Sequence, residues 1–180
     1  MLVLIAWLFA TAPRERAVMV YPHERPWFRR AFYSRHQDEL KQQLRRRYDV
    51  EIHDQVATAA DLFAIDVRGA KVLVLSAHGG PFAMSFDGRH ARTLDASDQA
   101  RLAAFLSQLA PDATIILQSC YTGLGFARIV KQAAGPGRHV IAAQGEIPRD
   151  GMEITSLAPI DVAITCRDTH GDPWDCKVRL

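Results

Sequence analysis

The feature that most constrains the fold of this chain is a series of short apolar runs separated by longer amphipathic segments. Four of the runs contain few polar residues, which is typical of strands buried on both faces of a parallel sheet. They are Ala17–Tyr21, Lys71–Ala77, Thr114–Gln118 and His139–Ala143. A fifth run, Tyr48–His53, alternates polar and apolar residues, as a half-exposed strand does.

The segments between these runs have the apolar spacing of helices that bury one side. They are Trp27–Arg47, Ala57–Ile65, a segment from Ser97 or Asp98 to Leu109, and Phe126–Ala134. Thr58 is a candidate cap for the second of them. Because strand and helix alternate along 180 residues, the chain is predicted to be α/β, with a mostly parallel sheet and helices on both faces.

Composition and charge exclude several classes of protein. Apolar residues make up 48% of the chain and charged residues 23%, which is ordinary for a globular domain and excludes disorder. The net charge of +2 provides no strong field for nucleic acid or lipid. The helix Trp27–Arg47 is rich in arginine, but Asp38 and Glu39 interrupt the basic residues, so a solvated helix face is favoured over a nucleic-acid site.

The N-terminal segment, residues 1–13, carries no charge and is separated from the predicted domain, residues 14–180. Its length suits the apolar part of a secretory signal, and Ala10-Thr11-Ala12 resembles a cleavage site. No basic residue precedes the run, however, and Pro13 follows it. A cleaved signal, a membrane anchor and a buried strand therefore remain open, with an exported or membrane-associated protein favoured.

Two residues with catalytic chemistry follow two of the predicted buried strands. His78 comes directly after Lys71–Ala77, and Cys120 comes just after Thr114–Gln118. Ligands bind at the carboxyl ends of strands in such sheets, and neighbouring strands lie about 4.8 Å apart. The sequence therefore predicts that the imidazole and the thiol face each other, with the N–H groups of Gly79 and Cys120 available to bind an oxyanion.

These two motifs also resemble those of a known family. The runs VLVLSAHGG and IILQSC, the latter followed by Tyr-Thr-Gly, resemble the signature of caspase-like (clan CD) cysteine peptidases, which include caspases, metacaspases, legumains, gingipains and CHAT domains. The resemblance implies a caspase-like fold in which His78 is the general acid/base, Cys120 the nucleophile and Gly79 an oxyanion donor. It also implies that a protein or peptide substrate is hydrolysed through an acyl-enzyme, without metal or cofactor.

The resemblance places Gln118 at the border of the pocket for the side chain that precedes the cleaved bond. Arg25, just after the first strand, would suit an acidic side chain in that pocket. Three acids after the last strand of the series would instead accept Arg or Lys: Glu146, Asp150 and Glu153. Exposed surface charge explains all of these residues equally well, so the preference stays open.

Cys166 and Cys176 flank a turn-rich segment between Ile160–Thr165 and Lys177–Leu180. This pattern predicts a hairpin of those two runs, which a disulfide near the turn would hold. Such a bridge would indicate an oxidising compartment and would leave Cys120 as a free thiol. Two reduced cysteines remain the alternative, and a zinc site with His170 lacks a clear fourth ligand, so no metal site is expected.

Two functions of other classes compete with the peptidase. One is a catalytically silent binding module of the same fold, which would recruit a partner protein. The other is a small exported structural protein held by its disulfide, which would have no cleft between the two motifs. A peptide-based probe that reacts with a catalytic thiol distinguishes the enzyme from both.

Overall fold

The computed structural model describes residues 13–23, 34–86, 94–148 and 151–180, with side-chain surroundings in the first helix from Glu39 onward. Several features named above therefore lie outside the described residues. They are the N-terminal segment 1–12, Arg25, the start of the helix predicted at Trp27, and Asp150.

A six-stranded sheet forms the centre of the molecule. With strands numbered along the chain, its members are β1 (Arg16–Pro22), β2 (Asp49–Val56), β3 (Val72–Ser76), β7 (Thr114–Gln118), β8 (His139–Ala143) and β12 (Lys177–Arg179). Their order across the sheet is β2-β1-β3-β7-β8-β12. The first five are parallel, and β12 runs antiparallel to β8. The prediction of an α/β fold with a mostly parallel sheet is confirmed.

Four α-helices have described bounds: α1 (Ser34–Arg45), α2 (Ala59–Phe63), α3 (Gln99–Leu106) and α4 (Phe126–Ala134). Leu40 and Leu44 of α1 join the apolar cluster on one face of the sheet, which we call the α1 layer. The other three helices contribute to the cluster on the opposite face. The predicted cap at Thr58 is confirmed, since its hydroxyl accepts the Asp61 N–H and the Asp61 carboxylate accepts the Thr58 N–H.

Each central strand is buried because it sends alternate side chains into the two apolar clusters. In β3, Val72 and Val74 face the α1 layer, whereas Leu73 and Leu75 face the other three helices. All five residues of β3 are buried. A strand with both faces covered reads as a continuous apolar run, which is why the sequence predicts these strands within one or two residues.

Two smaller sheets were not predicted. The first joins β4 (His78–Gly80), β5 (Ala83–Ser85) and β6 (Leu94–Asp95). The second joins β9 (Met152–Leu157), β10 (Ile160–Arg167) and β11 (Pro173–Asp175). Each pairing in them is antiparallel and joins two strands that follow one another along the chain.

The predicted hairpin of Ile160–Thr165 with Lys177–Leu180 is wrong. Across the turn β10 pairs with β11, while β12 leaves this hairpin and pairs with β8 at the edge of the main sheet. Leu180 accordingly packs against the cluster on the face opposite the α1 layer. Burial of that apolar residue and completion of a sheet edge favour the observed pairing.

No helix among the described residues is long and apolar enough to cross a bilayer. The basic residues at the end of α1 are exposed, namely Arg45, Arg46 and Arg47. This agrees with the solvated face predicted for that helix.

Candidate functional site

The candidate site lies at the carboxyl ends of β3 and β7, an edge of the main sheet that we call the carboxyl edge. These strands pair in parallel with Ser76 opposite Gln118. The two segments that follow these strands stay in contact, because the Ser119 hydroxyl donates to the Ala77 carbonyl at 2.8 Å. His78 follows Ser76 by two residues, and Cys120 follows Gln118 by two.

Gly79 packs directly against the backbone of the cysteine motif. A β-carbon at Gly79 would overlap Ser119 Oγ and the Cys120 carbonyl oxygen, and would lie 3.0 Å from Ser119 Cβ. Only glycine permits this approach, because the added carbon would meet backbone that cannot move aside. The His-Gly motif and the Ser-Cys motif, 42 residues apart in the chain, are therefore in contact.

A tight turn after Cys120 leads into a short 3₁₀ helix, Thr122–Leu124. Tyr121 adopts a left-handed conformation with φ of 60°, which is uncommon for a residue with a side chain. Its N–H donates to the Gly145 carbonyl at 3.0 Å, and the Thr122 hydroxyl donates to the Ser119 carbonyl at 3.0 Å. These bonds hold the strained turn, as is common next to functional groups.

The Cys120 thiol is half-buried and forms no disulfide. The Ile147 N–H donates to its sulfur at 3.4 Å. Burial raises the pKa of the Cys120 thiol above its usual range, the Ile147 N–H lowers it, and the Glu146 carboxylate raises it further. The resting sulfur is therefore protonated at neutral pH, and it needs a base to become a nucleophile.

His78 begins β4 and lies opposite Ser85 in the antiparallel pairing with β5. Its side chain is half-buried. The β4–β5 ladder fixes the backbone that carries the imidazole, at the end of the strand next to the cysteine. Contact between the imidazole and the thiol stays a prediction from the sequence.

Gln118 and the acids predicted around the substrate pocket occupy different surroundings. The Gln118 side-chain oxygen is buried and has no hydrogen-bond partner among the described residues. Glu146 is exposed and adjoins the residue that binds the thiol, whereas Glu153 is exposed on β9. A buried acceptor without a partner is costly to the fold.

The rim beside the candidate site is apolar. Phe82, on the turn between β4 and β5, is 70% exposed, and Leu124 is 49% exposed. Gly125 lies beneath the phenyl ring, because a β-carbon there would come 2.7 Å from Phe82 Cε1. The Phe126 N–H donates to the Pro81 carbonyl at 2.6 Å and ties this turn to α4. Phe82 and Leu124 therefore leave apolar surface exposed at the carboxyl edge.

Cys166 and Cys176 form a disulfide with a Cα–Cα separation of 5.7 Å. The predicted bridge is confirmed, and its sulfurs are therefore not available as zinc ligands with His170. No group of three or more metal-ligating side chains occurs in the described part of the chain.

Sequence reasoning missed two backbone positions of the site, Gly145 and Ile147. The Ile147 amide binds the thiol, and a backbone donor leaves no side-chain signature in a sequence. Gly145 had a usable signal, because it comes two residues after the end of β8, much as Gly79 closely follows β3. A glycine just beyond a parallel strand is a reasonable marker of close backbone approach.

Comparison with known proteins assigns no family to the chain. No family model matches it, and no curated protein matches it. Its assignment therefore depends on the site, where a half-buried thiol with a backbone N–H donor lies against the glycine that follows His78, at one edge of an α/β sheet. Those groups are the ones that nucleophilic attack on a carbonyl requires.

Proposed function

We propose that this chain is a caspase-like cysteine endopeptidase with Cys120 as the nucleophile and His78 as the general acid/base. The observation that carries the proposal is the contact of Gly79 with Ser119 and Cys120 at the carboxyl edge. In this contact the residue that follows His78 packs against Cys120 and against the residue that precedes it. The resemblance of these motifs to clan CD peptidases supplies the reaction, and the α/β sheet is compatible with the fold that it implies.

The raised pKa of the thiol favours one form of the mechanism. A sulfur that is protonated at rest attacks only as its proton leaves, so His78 accepts that proton while Sγ bonds to the substrate carbonyl carbon. The carbonyl oxygen becomes an oxyanion and accepts hydrogen bonds from the N–H groups of Gly79 and Cys120.

Collapse of the tetrahedral intermediate breaks the C–N bond. His78 returns its proton to the leaving amine, and a thioester to Cys120 remains. A water molecule then gives a proton to His78 and attacks the thioester carbonyl. The C–S bond breaks to release the acid, and His78 returns the proton to Sγ, which restores the thiol. No metal or cofactor enters these steps.

The surroundings of the thiol suit a peptide chain as substrate. Phe82 and Leu124 provide exposed apolar surface on the rim. Gln118 provides an amide whose oxygen has no partner among the described residues, at the position that the resemblance assigns to the pocket before the cleaved bond. The proposal leaves the residue preferred in that pocket open between acidic and basic.

One observation favours the second candidate, the catalytically silent module. A thiol whose pKa is raised by burial and by Glu146 is a weak nucleophile unless a base assists it. The exposed apolar surface of Phe82 and Leu124 would then bind a partner segment without cleaving it. The two candidates differ in whether His78 controls the reactivity of Cys120.

A peptidyl acyloxymethyl ketone tests this difference, with mass spectrometry to locate the label. We expect labelling at Cys120, none in Cys120→Ala, and a loss of at least about 100-fold in rate in His78→Ala, in line with general-base assistance. His139→Ala is the matched control, since His139 is exposed at the opposite end of β8. Equal labelling of the His78→Ala variant and the wild type, or no cleavage across a peptide library, would favour the silent module.

A further inference from the structure

The buried disulfide lies in the α1 layer, against the segment that follows β8. Cys166 is near the end of β10, and Cys176 stands between β11 and β12. Both half-cystines are fully buried in the α1 layer cluster. The mechanism above does not use them, so their position against the site requires a separate explanation.

Both half-cystines contact the segment that follows β8. A β-carbon at Gly145 would lie 3.0 Å from Cys166 Cβ and Sγ, and 3.2 Å from Trp174 Cζ2. The Gln144 N–H donates to the Cys176 carbonyl at 2.9 Å. Residues 144 and 145 thus contact the backbone of Cys176 and the side chain of Cys166, the two residues that the bridge joins.

The same segment contacts the cysteine motif on its other side. The Gly145 carbonyl accepts the Tyr121 N–H at 3.0 Å. Two residues further on, the Ile147 N–H donates to Cys120 Sγ at 3.4 Å. A continuous series of contacts thus runs from the disulfide through Gly145 to the sulfur of the candidate nucleophile.

The amide at the end of this series has a chemical role. Burial and the Glu146 carboxylate disfavour the thiolate of Cys120, whereas a donated hydrogen bond favours it. Displacement of the Ile147 N–H would leave the disfavouring effects without this opposition. At a pH below the thiol pKa both before and after such a displacement, each unit by which that pKa rises lowers the thiolate fraction tenfold.

We propose that the Cys166–Cys176 disulfide is a positioning element for Cys120, because it holds residues 144–147 where the Ile147 N–H reaches Sγ. The inference deepens the proposed function in taking Cys120 as the reacting thiol. It concerns thiol reactivity alone, and so does not require that a peptide be hydrolysed.

The test compares the wild-type chain with Cys166→Ala/Cys176→Ala, purified without reductant. The second-order rate of Cys120 alkylation by iodoacetamide is measured from pH 6 to pH 10 under folding conditions. We expect the apparent pKa of Cys120 to rise, and the alkylation rate at pH 7.5 to fall at least about threefold, which corresponds to half a pKa unit. An unchanged or faster rate overturns the proposal.

Loss of the bridge also destabilises the chain, so a control of matched stability is needed. Leu106→Ala removes a buried side chain from the cluster on the opposite face of the sheet. Its alkylation profile should match that of the wild type after both variants are shown to be folded by circular dichroism. A shift as large in Leu106→Ala as in the double variant would mean that general loosening is the cause, and would overturn the positioning role.

Gly145→Ala covers the case in which the double variant does not fold. It keeps the disulfide but places a methyl group against Cys166 and Trp174, which displaces the segment by a few tenths of an ångström or more. We expect the same direction of change in the pKa, with Gly80→Ala as control because a β-carbon there meets nothing within 4 Å. A Gly145→Ala profile equal to that of the wild type overturns the proposal, whatever the outcome of the peptide-probe experiment with His78→Ala.

Discussion

The two ends of the parallel sheet differ in how their polar groups are used. At the amino ends of the strands, which we call the amino edge, charged side chains have partners. Arg16 at the start of β1 pairs with Glu51 of β2, and Lys71 before β3 donates to Asp112 Oδ2 at 2.7 Å. At the carboxyl edge the prominent groups are a protonated thiol and, in Gln118, a buried amide oxygen with no partner among the described residues.

Arg138 is a further charged side chain at the amino edge whose donors have hydrogen-bond partners. Its guanidinium donates to four backbone carbonyls at 2.7 to 3.1 Å, those of Ser107, Leu109, Ala110 and Ala134. These carbonyls lie at the ends of α3 and α4 and in the loop between α3 and β7, where no helical partner is available. One side chain thus connects two helices to the sheet.

The carboxyl edge departs from ordinary local rules. Tyr121 is left-handed, and Gly79 approaches the backbone of Cys120 too closely for any side chain. Proteins retain such departures mainly at functional sites, where other parts of the fold compensate for them. The comparison therefore teaches that the amino edge stabilises the sheet, whereas the carboxyl edge holds the departures from local rules on which the proposed function depends.

Gly79→Ala should give the largest effect. The added methyl group would overlap Ser119 Oγ and the Cys120 carbonyl, which forces the two motifs apart. Displacement by about 1 Å can cost about 100-fold in rate, so we expect a loss of at least that size in Cys120 labelling by the peptidyl probe. Gly80→Ala, one residue away and with open space around its β-carbon, should stay within a fewfold of the wild type. Similar rates for the two variants would remove the basis for assigning chemistry to this edge.

Arg138→Met should have its effect on stability instead. Its four acceptors would lose a charged donor, and hydrogen bonds to charged groups each contribute about 1.5 to 3 kcal/mol when well shielded. Because Arg138 is only partly buried, we expect a loss of about 3 kcal/mol in the free energy of unfolding, measured by urea denaturation. Labelling of Cys120 in the folded variant should not change.

Arg128→Met, an exposed arginine on α4, is the matched control for the loss of one charge and one long side chain. It should alter the free energy of unfolding by less than about 0.5 kcal/mol. If Arg138→Met slowed Cys120 labelling while the chain remained folded, the two edges would not be independent.

The sequence allowed the central strands to be predicted for a physical reason. A strand covered on both faces must be apolar throughout, as β3 and β7 are, and this leaves a signal that needs no partner strand. By contrast β9 alternates between half-buried and exposed residues, and β4 consists of only three residues. Such strands are defined by their neighbours, so the small sheets and the partner of β12 could not be predicted from local pattern.

The candidate site, like the fold, could be predicted from the sequence only in part. His78, Gly79 and Cys120 follow strand ends in recognisable motifs, and the structure brings the backbones of Gly79 and Cys120 into contact. The Ile147 amide and the contact of Gly145 with Cys166 join residues that are more than 20 positions apart and depend on tertiary packing. No side-chain type at position 147 is required for the hydrogen bond that its backbone donates.

The smallest expected effect is a pH dependence. Lowering the pH removes a stabilising interaction at the amino edge, whereas raising the pH activates the thiol at the carboxyl edge. The pKa of Asp112 lies below its usual value, chiefly because the Lys71 ammonium donates a hydrogen bond to it. A carboxyl whose pKa is lower in the folded chain stabilises the fold above its unfolded pKa of about 4, and this stabilisation is lost as the pH falls through the folded value. Cys120 behaves oppositely in reactivity, since its thiolate forms only as the pH rises above the ordinary thiol range.

A double-mutant cycle of Lys71→Met and Asp112→Asn isolates the effect at the amino edge. Because Asp112 is mostly exposed, with a side-chain exposure of 68%, we expect Asp112→Asn to cost less than about 1 kcal/mol at pH 7. The difference from the wild type should shrink between pH 5 and pH 3. It should be smaller in the Lys71→Met background, where the backbone hydrogen bond and the charge at His139 still favour the carboxylate. Cys120 alkylation should be the same in all four proteins. A dependence of that rate on Asp112 would show that charge at the amino edge reaches the thiol, and that the division between the two edges does not hold.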